Sequence, residues 1–294
     1  MYFLSELEHK LLLNKILPQA RQVGVSPELR GWNWHQPPLK PYYDDVKVPM
    51  YAVCSKYCPT SRDVFLNQVE KAKPILNEKV TLGKILHGVV SDVLLGFIDR
   101  SEIDFEEWWS KIRWEGMYGD RDLLKKRAKQ LWDYVLIVCK THYITHSAIQ
   151  PYSSERDLYA SSIPFLIEHK ISGELLGLSG LLSIDCYDYL KCIMFDLKVD
   201  DKQEDWHRLF PVGYAIVFES VHEVPVDVCC VIYVSFIRDK LVIKKDLFFA
   251  NNELRSWWLE ERDKKLQIIA LRKDPGIPNQ CPEDCIYYKF CRGE

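Results

Sequence analysis

The residues best suited to chemistry lie in the run GLLSIDCYDYLKCIMFDLKVD, positions 180–200. Asp196 and Lys198 stand two apart on an expected strand, so their side chains share one face. A carboxylate that holds Mg²⁺ or Mn²⁺ beside a phosphate, with a lysine that steadies water or phosphate, suits metal-assisted phosphodiester hydrolysis. Asp185 falls on the preceding expected strand, and a hairpin turning within Asp188 to Lys191 would bring it beside Asp196. Charges on a strand as apolar as Cys192 to Val199 are costly to bury without partners. A plain Asp–Lys ion pair, or an exposed sheet face, is the alternative. His87 sits on an apolar helical stripe, where a histidine is ordinarily structural; its nitrogen would otherwise complete a metal site with Asp185 and Asp196.

A second group is cysteine-rich. Cys281, Cys285 and Cys291 crowd the C-terminal end and leave a four-thiolate centre one ligand short. Cys58 or Cys54, in YAVCSKYCPTSRD, would supply the fourth, with the Cys58–Pro59 dipeptide favouring Cys58. Four thiolates suit zinc as well as an iron–sulfur cluster. Ligation from both ends would tie an N-terminal arm to the C-terminal tail. Cys139, Cys186, Cys192, Cys229 and Cys230 read as buried small hydrophobes in helices and strands.

The elements that must position these groups follow from periodicity. Apolar spacing predicts a helix over 4–20 ending at Pro18, and a proline-rich aromatic arm with Trp32, Trp34, Tyr42 and Tyr43 over 24–49. A strong helical stripe runs from Thr81, read as its N-cap, to Ile98, and a second helix covers about 120–141. Two or three strands are expected over 173–199, a helix over 206–220, strands over 226–237 and 241–249, and a long helix capped by Asn251 or Asn252 and ending near Lys273. The core is therefore mixed α/β. With 47% hydrophobic residues the chain can bury a sizeable core without disulfides, while a net charge of −3 argues against a protein that coats nucleic acid indiscriminately. Lysine and arginine cluster at Lys111–Arg113, Lys125–Lys129 and Arg262–Lys265, each of which also reads as a solvated helix face. The opening residues lack the pattern of a secretory leader, and the apolar runs at Val89–Ile98 and Val226–Ile237 fall short of the ~20 residues a spanning helix needs. A cytoplasmic chain without membrane association is expected.

Taken in order, Cys58 in YCPTSRDVFL, Gly83 to His87 as GxxxH, Asp185, Asp196-Leu-Lys198, Tyr214 on the next helix and the three-cysteine tail resemble the RecB-like CRISPR-associated iron–sulfur exonucleases. Within that PD-(D/E)xK group the resemblance is to the archaeal type I-A subgroup, from about Tyr51 onward. It implies a restriction-endonuclease-like mixed sheet core with an N-terminal helical block and a C-terminal four-cysteine segment. The corresponding division is 1–80, with the arm and one cluster cysteine; 81–160, helical; 161–273, the nuclease core; and 274–294, the cluster-binding tail. The resemblance further implies a 4Fe–4S cluster on Cys58, Cys281, Cys285 and Cys291, Mn²⁺ or Mg²⁺ at His87, Asp185 and Asp196, Lys198 as catalytic lysine, and Tyr214 ordering substrate. The implied activity is exonucleolytic cleavage of single-stranded DNA, trimming spacer precursors beside the CRISPR integrase and other adaptation proteins, with oligomerisation possible.

Three positions depart from the pattern. Asp196 stands where the family more often has glutamate, Phe210 where it usually has glutamine, and the Cys281–Cys285 gap is one residue longer. The glutamine's substrate-ordering contact would then be lost, or replaced by His207 or Arg208. These departures keep open a catalytically weak or inactive subunit that binds DNA or protein through the aromatic arm, and a zinc-stapled scaffold without chemistry.

Overall fold

The computed structural model describes residues 1–101, 104–281 and 285–293. The chain begins with α1 (Glu6–Leu11), a π-helical turn at Leu12–Ile16, and α2 (Leu17–Val23). The helical path therefore continues past Pro18. The π turn places proline in the first turn of α2, where a missing N–H costs nothing. Short α3 (Met50–Cys54) and α4 (Arg62–Val64) follow the irregular arm.

The expected stripe becomes α5 (Glu78–Ile98), capped by Asn77 rather than Thr81. Thr81 is buried one turn inside, where its hydroxyl accepts from Tyr118 N at 2.9 Å. At 21 residues α5 is long and apolar enough, by length and composition alone, to cross a membrane, and over half of it is buried here in the protein core. After α6 (Phe105–Ser110), α7 (Arg121–Ile149) starts at its Asp120 cap and runs further than the apolar stripe implied, and α8 (Glu155–Ser162) leads into the sheet.

The sheet comprises β1 (Phe165–Ile171), β2 (Leu182–Asp188), β3 (Ile193–Val199), β4 (Val228–Ile237) and β5 (Lys240–Phe249), in that spatial order. All neighbours are antiparallel except β3 and β4, whose parallel pairing requires a crossover, supplied by α9 (Leu209–His222). α10 (Asn252–Leu271) and α11 (Tyr288–Arg292) complete the described elements. Alternation along β3 divides the core. Ile193, Phe195 and Leu197 join the apolar cluster that contains α5 and α7, whereas Met194 joins the cluster formed with α3, α9 and α10.

Buried charge fixes that second layer. Arg255 donates to Glu219 at 2.8 and 2.9 Å and to the carbonyls of Leu29, Val226 and Ala250. Glu219 also accepts from Gly31 N, Val226 N and Arg30. Burial favours the neutral acid, but Arg255 and these donors hold the Glu219 carboxyl below its ordinary range. A Cβ on Gly31 would come 2.1 Å from Ile216 O, so only glycine lets the arm close on α9 here. The basic run at 262–265 proves not to be a surface patch. Arg262 donates to the arm carbonyls of Pro38 and Leu39, and Lys265 to that of Val53 in α3. An amphipathic pattern cannot register charges that satisfy a buried main chain. The other two basic clusters are solvated faces with acidic neighbours, as at Lys111–Glu107 and Lys125–Glu106. Replacing Arg255 with Met leaves Glu219 charged and buried; in urea unfolding it is expected to cost about 3–5 kcal/mol.

Candidate active site at a fork in the sheet

β2 and β3 start as the expected hairpin, with Asp188 opposite Ile193, Tyr187 opposite Met194 and Cys186 opposite Phe195. Asp188 closes the turn by accepting from the main-chain N–H of Leu190 and Lys191. The ladder then ends and the strands part. Leu197, two residues further on, finds partners in side chains: its N–H donates to Asp185 Oδ2 at 2.8 Å, and its carbonyl lies 3.1 Å from His87 Nε2. A buried main chain must be satisfied, and here β2 supplies a carboxylate and α5 an imidazole in place of a strand.

The neighbouring strand is perturbed at the same level. Pairing of β1 with β2 passes from Ile167–Cys186 to His169–Ile184, which sets Glu168 opposite Asp185. Glu168 adopts a left-handed φ of 48°. The result is that one donor atom from each of His87, Glu168 and Asp185 lies within 4.8 Å of the others, a spacing compatible with ligands of one cation. Glu168, in FLIEHKI, was not among the residues singled out from sequence; a lone glutamate on an apolar strand was the available signal.

Asp196 and Lys198 do share a face of β3, as expected. Asp196 Oδ2 lies 2.8 Å from Lys198 Nζ, yet the approach is poorly aligned and this buried oxygen has no hydrogen-bond partner among the described residues. Burial pushes the Asp196 carboxyl up to about 6, Lys198 opposing and Asp185 reinforcing the shift. Lys198 Nζ in turn sits 3.2 Å from the centroid of the Phe210 ring, a cation–π contact at the start of α9. Tyr214, one turn on, has its hydroxyl raised well above the ordinary range by burial and by Asp185 and Asp196.

Both residues offered as substitutes for the glutamine contact have partners within the chain. His207 is buried 3.2 Å from the Tyr233 hydroxyl, and burial together with Lys198 lowers it to about 4; Arg208 is bound twice by Asp246. Past the end of β3 a cavity of about 490 Å³ opens, walled by Tyr57 and Trp206, by Lys56, Lys79 and Lys202, and by the carboxylates of Asp200, Asp201 and Glu204. Tyr57 and Trp206 meet edge to face at 4.9 Å.

The cysteines separate into two classes. Cys54 is buried in the core, 3.7 Å from Met50 Sδ, and burial raises its thiol far above normal. Cys139, Cys186, Cys229 and Cys230 are buried as expected, whereas Cys192 is half-exposed in the β2–β3 turn, with φ 53°. Cys58, Cys281, Cys285 and Cys291 are half-buried where the segment after α3 meets the tail. Thr60 donates to Gly276 O, Arg62 pairs with Asp274 and donates to Cys291 Sγ at 3.0 Å, and Ile75 N donates to Ile286 O. Burial raises the Cys285 thiol to about 11, with Cys281 and Cys58 adding to the shift.

Comparison with known proteins gives this arrangement its context. The profile of the CRISPR-associated exonuclease Csa1 family matches residues 1–294. The chain belongs to the Csa1 family. The CRISPR-associated exonuclease Csa1 of Saccharolobus solfataricus is 28% identical, covering 96% of this chain and 97% of the relative. The Csa1 exonuclease of Thermoproteus tenax is 27% identical, with 98% and 99% covered. Csa1 membership places the protein among CRISPR-associated nucleases, in line with the resemblance its motifs carry.

Asp196 provides a test of the fork's electrostatics independent of activity. Its folded value exceeds the ordinary aspartate value, so its contribution favours folding at low pH and is lost as pH rises from about 4 through about 6. In thermal unfolding without divalent metal, Asp196→Asn is expected to melt above the wild type at pH 7–8 and to converge with it below pH 4.

Proposed function

We propose that this protein is a divalent-metal-dependent deoxyribonuclease that trims single-stranded DNA ends and so prepares spacer precursors for CRISPR adaptation. The supporting observation is the fork itself, where His87 and Asp185 are brought to the buried Asp196–Lys198 pair by the main chain of Leu197. Their donor chemistry fits Mn²⁺ or Mg²⁺ held by His87, Asp185 and Asp196, the last through a carboxylate whose Oδ2 makes no well-aligned hydrogen bond to its ion-pair partner Lys198. A bound ion would polarise the scissile phosphate and lower the pKa of an attacking water.

The chain's own groups account for the rest. Lys198, fixed between Asp196 and Phe210, places a positive charge where negative charge builds on the phosphate. Tyr214 lines the same acidic locale from α9 and serves to order the substrate. The cavity past the end of β3 offers the rings of Tyr57 and Trp206 for stacking unpaired bases, with Lys56, Lys79 and Lys202 set among the carboxylates of Asp200, Asp201 and Glu204.

The tail cysteines and Cys58 have the chemistry of a 4Fe–4S centre, with zinc as the alternative. Such a centre would lock the tail to the segment that carries Tyr57, one wall of the cavity. The partners in this reading are single-stranded DNA, the CRISPR integrase and other adaptation proteins, in the cytoplasm. A weakly active binding subunit is the second reading, favoured by the Phe210 ring that occupies Lys198.

End-labelled single-stranded DNA, incubated anaerobically with Mn²⁺ or Mg²⁺, tests the activity. Asp196→Ala and Lys198→Ala are each expected to lower cleavage by a factor on the order of 10²–10³ with folding intact; cleavage indifferent to both supports the binding-subunit reading. For the cysteines, Cys58→Ser and Cys291→Ser are expected to abolish the broad visible absorption of an iron–sulfur cluster, and Cys54→Ser to preserve it. A colourless wild type purified without air points to zinc.

A further inference from the structure

We infer that Glu168 is an additional ligand of the cation site, so that the ion is held by a carboxylate from β1 as well as by His87 and Asp185. This rests on the metal-dependent reading above and extends its ligand set to a residue that the family resemblance does not supply.

The hydrogen bonding of His87 fixes which nitrogen faces the site. The Leu197 carbonyl can only accept, so His87 Nε2 carries the hydrogen and donates to it. In the neutral ring Nδ1 then presents a lone pair to Asp185 Oδ1, 3.7 Å away. Two electron-rich atoms face each other at a distance beyond the usual N–H···O range. The separation does match two donors on one ion, since bonds of about 2.1 Å place ligand atoms roughly 3.0–4.2 Å apart. Asp185 Oδ2 is already committed to Leu197 N, which leaves Oδ1 for the ion.

Glu168 completes the third side. Its carboxylate accepts from Ser183 Oγ and lies 3.6 Å from Lys170 Nζ, and Lys170 also donates to Ser183. These contacts orient the side chain as outer-shell partners orient metal ligands. The left-handed backbone at Glu168 is unfavourable for a residue with a Cβ, and glycine would adopt it freely. The side chain thus occupies a position where the backbone alone would select glycine. The buried Asp196 Oδ2, adjacent along β3, lacks a well-aligned hydrogen bond and has Lys198 Nζ, 2.8 Å away, as its ion-pair partner.

Mn²⁺ binding to the full-length protein, purified anaerobically and free of DNA, is measured by electron paramagnetic resonance for the wild type, Glu168→Gly, Glu168→Gln and Asp185→Asn. Glu168→Gly is expected to melt no lower than the wild type, because its backbone strain is relieved, yet to bind Mn²⁺ at least ~10-fold more weakly. Glu168→Gln retains size and shape without the charge, and the same loss is expected from it should the glycine variant prove unstable. Mn²⁺ affinity unchanged in both glutamate variants, with Asp185→Asn impaired, overturns the role of Glu168 and leaves the nuclease reading standing. A folded wild type that binds no Mn²⁺ overturns both.

Discussion

The main chain of Leu197 is the constraint on which the site depends. Once β2 leaves β3 after Cys186 and Phe195, the N–H and carbonyl of Leu197 lose the strand that would have paired them. An unsatisfied buried amide costs about 1–3 kcal/mol, so partners are needed. Asp185 and His87 provide them, and in doing so each turns its remaining polar atom into the gap. The bonds that repair the sheet therefore aim the ligands. Removing either residue would disturb β3 as well as the site, which is why charge-only substitutions and a metal readout are more informative here than alanine scanning alone.

The second structural theme is charge placed where packing alone would exclude it. Glu219–Arg255 joins the arm, α9, the segment before β4 and α10, while Arg262 holds carbonyls of the arm and Lys265 one of α3 from beneath. Each uses an ion to terminate irregular backbone, so the proline-rich arm can pack closely without regular structure of its own. At the far end, Arg62 spans Asp274 and Cys291 and performs the same service for the tail. The nuclease fork, the arm and the tail are thus joined through α9 and α10.

Much of the framework was legible from periodicity and punctuation. The β2–β3 hairpin, the β4–β5 pair and the Asn251-capped α10 fall where alternation and cap residues put them. The pairing of Asp196 with Lys198 on one face follows from a period of two. What pattern could not convey was three-dimensional satisfaction. Thr81 reads as a cap but serves a distant loop; Arg262 and Lys265 read as solvent-facing but serve buried carbonyls; Pro18 reads as a helix end but falls in the first turn of a new segment. Glu168 was missed because its position depends on a local break in the β1–β2 ladder that no sequence spacing encodes.

The account's central claim is that the parting of β2 from β3 creates a divalent-cation site on nuclease ligands. The most direct test is a crystal structure of the protein grown with Mn²⁺, with diffraction recorded at the manganese absorption edge. The account predicts an anomalous peak in the gap between His87 Nδ1 and Asp185 Oδ1, within bonding distance of the Glu168 carboxylate. A peak confined to other carboxylates, or a fork in which a protonated His87 simply pairs with Asp185 at saturating Mn²⁺, would contradict it.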